Sequence, residues 1–189
     1  SRIRQGLTQD EFAKQFSLSN QLDSAFRDRF NSKHVRAYTD LYDAAVRMMK
    51  SEDLDAFDLN QEPQATRERY GDSPFGQGCL LARRLTQRGV RFVEVDLDGW
   101  DSHTDNHKQV ADQCGKLDRP LSALLEDLHQ SGQLDRTLVV VSTEFGRSPY
   151  IDENAGRNHH PFGYTCLLAG GGATGGAVYG ATDKTGNRP

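Results

Sequence analysis

Residues 90–97, VRFVEVDL, alternate apolar and polar side chains, which is typical of a β-strand with one face toward a core. Apolar residues then recur at helical spacing through 110–128, and residues 137–142, TLVVVS, are again rich in β-branched side chains. Pro120 predicts a kink or a restart within that helix. A further strand is predicted at 164–169. Strand, helix and strand in this order suggest a βαβ unit, so the sequence predicts an α/β fold with a mostly parallel sheet and flanking helices.

Residues 1–75 show a different, helical pattern. Thr8 and Glu11 have capping-box spacing, which predicts the start of a short helix. Apolar residues recur every three or four positions in 22–30 and again in 35–49, which predicts two more helices. We therefore expect a helical insertion or cap segment over 1–75, followed by the α/β core over 76–189.

The composition is that of a globular protein, with 35% hydrophobic residues, 26% charged residues and a formal net charge of −4. A chain of this length buries a core without disulfides or structural metals, so a bound metal is expected to be functional. No apolar run approaches the roughly 20 residues of a membrane span, and basic residues are scattered rather than clustered. We expect neither a membrane span nor a nucleic-acid partner, and the oligomeric state stays open.

Residues 98–107, DGWDSHTDNH, follow the first predicted strand directly and contain three carboxylates and two imidazoles. Asp101 and His103 lie at the carboxyl end of that strand, where a loop can direct both side chains into one crevice. Their oxygen and nitrogen donors suit zinc, manganese or iron. The same composition also fits a polar loop in which Asp105 or Asn106 caps the next helix.

Two later loops also carry residues of the kinds found in active sites. Glu144 follows the second predicted strand and can act as a third metal ligand or as a base. Arg147 and Arg157 can each hold a phosphate or sulfate group through paired hydrogen bonds. A solvated pair of surface charges is the simpler interpretation of each residue taken alone, but three loops from one sheet edge favour a site. The sequence contains no nucleotide-binding fingerprint, nucleophile elbow or HExxH helix.

Several segments of the chain closely resemble the bacterial DUF1501 family, which is similar to the alkaline phosphatase and sulfatase superfamily. These segments are LDAFDL at 54–59, GWDSH at 99–103, EFGR at 144–147, GRNH at 156–159 and VYGATD at 178–183. The resemblance implies a metal-dependent hydrolase that cleaves a phosphate or sulfate ester, of a small molecule or a glycan, by two-metal in-line displacement.

The resemblance also implies a role for each metal-binding residue. Asp101 and His103 would bind one metal, His159 would return to the same metal, and Glu144 would serve the second. Zinc is the metal expected first, with manganese, iron or calcium as alternatives.

By the same resemblance, Arg147 and Arg157 would contact oxygens of the substrate. Asn158 stands where the family usually has Asp, which removes a charge from that position. The superfamily places its nucleophile in a segment upstream of Ser1. The chain reads as a piece of a longer protein, so we expect it to be inactive alone. Family members are often exported, which suggests a periplasmic or cell-surface location.

Two other hypotheses remain. The chain can be a non-catalytic module that keeps the fold and binds a glycan or a partner protein through Trp100, Tyr150 and the loops. Alternatively, the polar residues simply satisfy backbone groups at strand ends.

Overall fold

The computed structural model describes residues 8–30 and 32–189 and is 51% helical. The α-helices in this part of the chain are α1 Gln9–Arg29, α2 Lys33–Lys50, α3 Gln64–Tyr70, α4 Pro74–Gln87 and α5 Asn106–Gln130. Short 3-10 helices occur at Glu52–Phe57, Leu59–Gln61 and Leu134–Arg136. The strands are β1 Leu138–Val141, β2 Gly146–Arg147, β3 His159–His160 and β4 Leu167–Gly170.

The chain divides into two compact units, the first ending at Asp58 and the second beginning at Leu59. The first unit contains α1 and α2. The capping box at its start is confirmed, because Thr8 Oγ1 accepts from the Glu11 amide and the Glu11 carboxylate accepts from the Thr8 amide. The prediction of two separate helices before residue 30 is wrong, since α1 runs unbroken to Arg29. Residues 17–21 contain polar side chains but no glycine or proline, so they lower helix propensity without ending the helix.

The second unit has its hydrophobic core between α3, α4 and α5. Tyr70, Cys79, Leu80 and Ala123 are buried there, with Tyr70 and Leu80 fully inaccessible. Helix α5 passes through Pro120 without a restart, contrary to one of the two outcomes expected from the sequence. Helix α4 begins after its N-cap, Ser73, whose side chain accepts from the Gly76 amide. No helix of the described chain combines the length and apolarity that a membrane span requires.

The prediction of a mostly parallel sheet is wrong. β1 pairs with β4 and β2 pairs with β3, and both two-stranded sheets are antiparallel. Residues 90–97 belong to no paired strand of the described structure, although Val95 packs against the helical core. Alternation shows which side chains can share a face, but it specifies neither the hydrogen-bonding partner nor its direction. The order of the segments was therefore insufficient to establish a parallel βαβ unit.

Candidate metal centre

Three side chains of the second unit bring their ligand atoms to one point on the surface. Asp101 Oδ1 lies 3.1 Å from His103 Nε2 and 3.0 Å from His159 Nε2. The two imidazole nitrogens are 3.2 Å apart. All three side chains are exposed, with 67% of Asp101, 44% of His103 and 49% of His159 accessible. We call Asp101, His103 and His159 the ligand cluster.

The ligand cluster fits a zinc ion in both chemistry and size. Two imidazole nitrogens and one carboxylate oxygen form a donor set found in catalytic zinc sites, which keep a fourth position open. Zinc bonds of about 2.0–2.1 Å in a tetrahedron place neighbouring ligand atoms about 3.3–3.4 Å apart. The observed separations of 3.0 to 3.2 Å are shorter by a few tenths of an ångström, a difference that small side-chain rotations can supply.

Backbone hydrogen bonds join the loop that carries Asp101 and His103 to the loop that precedes His159. The Arg157 amide donates to the Ser102 carbonyl at 3.0 Å, and the Asn106 amide donates to the Ala155 carbonyl at 2.8 Å. These bonds join residues that are about fifty positions apart in the sequence. The ligand cluster is therefore assembled by backbone contacts as well as by its own side chains.

A glycine permits the close approach of these two loops. A Cβ atom on Gly156 would lie 2.0 Å from the His103 carbonyl oxygen and 2.8 Å from the Thr104 amide nitrogen. The turn before it is held by Asp152, whose Oδ1 accepts from the Gly156 amide at 2.9 Å. Ala155 has a positive φ of 55°, a strained conformation of the kind that clusters at functional sites.

A buried polar pair supports the loop between Asp101 and His103. Ser102 is 1% exposed and Asn106 is 5% exposed, and Asn106 Nδ2 donates to Ser102 Oγ at 2.6 Å. Because Ser102 stands between Asp101 and His103, anchoring it restricts the backbone of both neighbours. Asn106 is the first residue of α5, so the helix end fixes the loop.

Arg147 and Phe145 contact the ligand cluster from β2 and the residue before it. Arg147 Nη2 donates to Asp101 Oδ1 at 2.6 Å, and the Phe145 ring lies 4.2 Å from the His159 ring, measured between centroids. The hydrogen bond from Arg147, followed by that from His159, lowers the pKa of Asp101 to about 2. The carboxylate is therefore charged at neutral pH, as a metal ligand must be.

A family model described as a protein of unknown function (DUF1501) matches residues 2–189. The chain belongs to the DUF1501 family. No curated protein and no solved structure matches this DUF1501 chain. The matched range includes every residue of the ligand cluster and of the two loops that form it.

The DUF1501 chain brings together most, but not all, of the residues singled out from the sequence. Arg157 Nη1 donates to the Ser148 carbonyl at 3.1 Å, while its buried Nε has no hydrogen-bond partner in the described part of the chain. Glu144 is exposed, and its carboxylate is not among the atoms of the ligand cluster. Of the aromatic residues, Trp100 is half-buried, and Tyr150 is 61% exposed.

The sequence did not identify four residues that shape this site, namely Phe145, Ser102, Asn106 and Gly156. For Asn106 the sequence predicts only a helix cap. The spacing of Asp101 and His103 offers one signal for Ser102. If the side chains on both sides of Ser102 face one point, the Ser102 side chain is expected to face away from that point. The importance of Phe145 and Gly156 depends on contacts across more than ten residues of chain, which local patterns do not contain.

Proposed function

We propose that this chain forms the metal-binding part of a hydrolase that cleaves a phosphate or sulfate ester of a small molecule or glycan. The observation that carries the proposal is the convergence of Asp101 Oδ1, His103 Nε2 and His159 Nε2 within 3.2 Å of one another. A likeness to alkaline phosphatases and sulfatases, carried by the motifs around these residues, supplies the choice of ester.

Surface exposure argues that this convergence serves a ligand. Water can solvate each of these three exposed side chains separately, so folding does not require them to meet. Exposed ion pairs contribute little net stability, because solvent screening and the entropy lost in holding two side chains together offset most of the Coulomb attraction. A divalent cation would give a physical reason for directing one carboxylate and two imidazoles to the same point.

The donor set favours zinc over the other metals considered. Calcium prefers six to eight oxygen ligands, whereas two of the three donors here are imidazole nitrogens. Bound zinc would supply Lewis-acid charge and an open coordination position for an oxygen of water or of the ester. Arg157 would donate hydrogen bonds to the remaining ester oxygens, and Arg147 would do so through N–H groups other than the two that bond to Asp101 and the Arg157 carbonyl. Glu144 stays the proposed ligand of a second metal.

Metal content tests the first part of this proposal. The chain is dialysed with zinc, freed of excess metal and measured by elemental mass spectrometry, and we expect about one ligand-cluster zinc ion per chain. The variant D101N/H103A should lose this zinc. The matched control H129A/D135N changes the same residue types at two exposed positions and should retain it. Equal zinc in all three proteins would contradict the proposed site.

Ester binding, rather than ester hydrolysis, tests the second part of the proposal. The resemblance places the nucleophile outside these residues, so we expect the chain to bind an ester without cleaving it. Calorimetric titration with phenyl phosphate and phenyl sulfate should detect binding of one ester to the zinc-loaded chain and none to the metal-free chain. Zinc retention without zinc-dependent binding of either ester would reject the hydrolase. The alternative, a glycan- or protein-binding module that uses the exposed Tyr150, would then be favoured.

Turnover is the third readout. We expect no hydrolysis of either aryl ester by the chain alone. Zinc-dependent hydrolysis that His103→Ala abolishes would support the hydrolase and contradict the expectation that the nucleophile lies elsewhere.

A further inference from the structure

We infer that Arg147 is a positioning residue, whose guanidinium group holds Asp101 and the loop of His159 in the arrangement that binds a metal. This inference rests on the proposed function and adds to it. From the sequence, Arg147 was expected to contact the substrate. Its contacts in the structure indicate that it first organises the ligand cluster.

The planar guanidinium group of Arg147 joins the loop that carries Asp101 and His103 to the loop that precedes His159. Arg147 Nη2 donates to Asp101 Oδ1 at 2.6 Å, and Arg147 Nη1 donates to the Arg157 carbonyl at 3.1 Å. Arg157 lies two residues before His159 on the same loop. Because the guanidinium fork is rigid and planar, these two bonds fix the Asp101 carboxylate relative to the His159 loop.

The strand that carries Arg147 also restrains His159 directly. Arg147 and His159 are paired residues of the β2–β3 ladder. The Phe145 ring lies against the His159 imidazole, and the Arg147 guanidinium carbon lies 5.8 Å from the centre of the Phe145 ring. Only 20% of the Arg147 side chain is accessible, so its conformation is restricted by these neighbours.

The geometry at Asp101 indicates that Arg147 assists metal binding by this carboxylate and does not compete with the metal for it. A carboxylate oxygen has two lone pairs, so Oδ1 can accept from Arg147 through one and bind a cation through the other. Ligating carboxylates are commonly held by such hydrogen bonds, and loss of the outer partner weakens metal binding about 10–100-fold. If Arg147 instead competed with the metal, its removal would tighten binding.

Cobalt(II) titration followed by visible absorption distinguishes these two roles. We expect R147Q to bind cobalt about 10–100-fold more weakly than the unaltered chain. R147K keeps the charge but not the fork, so it should recover only part of the affinity. R136Q changes an exposed arginine on the Leu134–Arg136 turn and should leave the affinity unchanged. Circular dichroism without metal checks that each variant is folded.

A double-mutant cycle with Asp101 separates positioning from general stability. D101N keeps an amide oxygen and both imidazoles, and it removes the charge that Arg147 contacts. If Arg147 acts partly through Asp101, R147Q should weaken the cobalt binding of D101N by less than it weakens that of the unaltered chain. The loss that remains in D101N measures the bond from Arg147 to the Arg157 carbonyl. The cobalt absorption spectrum of R147Q should also differ from that of the unaltered chain, because the position of one ligand changes.

The outcomes that overturn the inference differ from those that overturn the proposed function. Equal or tighter cobalt binding by R147Q rejects positioning, and the same loss in both Asp101 backgrounds rejects the action through Asp101. Either result leaves the metal site intact. No cobalt binding by the unaltered chain rejects both. If R147Q does not fold, R147K carries the test, and full affinity in R147K rejects the bridging role.

Discussion

Asp127 and Asp101 both accept hydrogen bonds from arginine, but they lie in opposite surroundings within the second unit. The Asp127 side chain is 9% exposed and that of Asp101 is 67% exposed. Asp127 lies on α5 and faces α3 and α4. Arg69 and the Tyr70 hydroxyl of α3 donate to its carboxylate at 2.7 and 2.9 Å, and Arg83 of α4 donates at 3.2 Å. Asp101 lies on the surface and meets one arginine and two histidines.

The difference separates a contact made for folding from one that folding does not need. The partners of Asp127 replace the water that burial removes, so each of them is required once the carboxylate is inside. Burial raises the pKa of Tyr70, and the hydrogen bond to Asp127 raises it further, so the hydroxyl keeps its proton and donates. Asp101 has lost little water, so folding does not require its convergence with two imidazoles, and the metal proposed above would give that convergence a purpose.

The largest expected effect on stability comes from the buried helical core that surrounds Asp127. Leu80→Ala removes a fully buried side chain from the core between α3, α4 and α5, so it should lower the free energy of unfolding by about 2–5 kcal/mol. Urea unfolding followed by circular dichroism measures this change. Leu168→Ala is the matched control, because that leucine is 56% exposed on β4. Similar losses in the two variants would contradict a core located between these helices.

The two aspartates themselves provide the next test. Asp127→Asn turns one buried carboxylate oxygen into an amide that faces a donor, so it should cost about 1–3 kcal/mol in urea unfolding. Asp101→Asn, in metal-free buffer, should lower the unfolding midpoint much less than Asp127→Asn does, because water screens the exposed contacts of Asp101. It should also lower zinc content. The comparison fails if Asp101→Asn destabilises the metal-free chain as much as Asp127→Asn does.

Local features of the fold were predictable because neighbouring residues determine them. The capping box at Thr8 and the strand at Leu138–Val141 both follow from short-range patterns. The antiparallel pairing of β1 with β4 was not predictable, because more than twenty residues separate these two strands in the chain. The run 90–97 has the pattern of a strand but finds no pairing partner in the described chain.

The candidate site was predictable in its residue types and not in its construction. Loop composition and the family resemblance predict Asp101, His103 and His159 as site residues, and the structure places their nitrogen and oxygen atoms together. Their role as metal ligands and that of Glu144 stay predictions. The buried Ser102 and the close approach at Gly156 became visible only when two distant loops were seen in contact.

Two glycines give the smallest expected effects, and these should be opposite in sign. Gly156→Ala forces the His103 carbonyl away from a new Cβ atom, so we expect a cost of about 1–2 kcal/mol in urea unfolding. Gly115→Ala adds a methyl group to α5 with no neighbouring atom within 4 Å, and helix propensity should stabilise the chain by about 0.5–1 kcal/mol.

Cobalt binding separates the two glycines further. Gly156→Ala should weaken it, because the His103 and His159 loops can no longer approach each other, whereas Gly115→Ala should leave it unchanged. Unchanged cobalt binding in Gly156→Ala would mean that the ligand cluster tolerates a shift of its loops. The backbone contact at Gly156 would then contribute to folding and not to metal binding. The proposed role of Asp101 in metal binding, which sets it apart from the buried Asp127, would then depend on side-chain contacts alone.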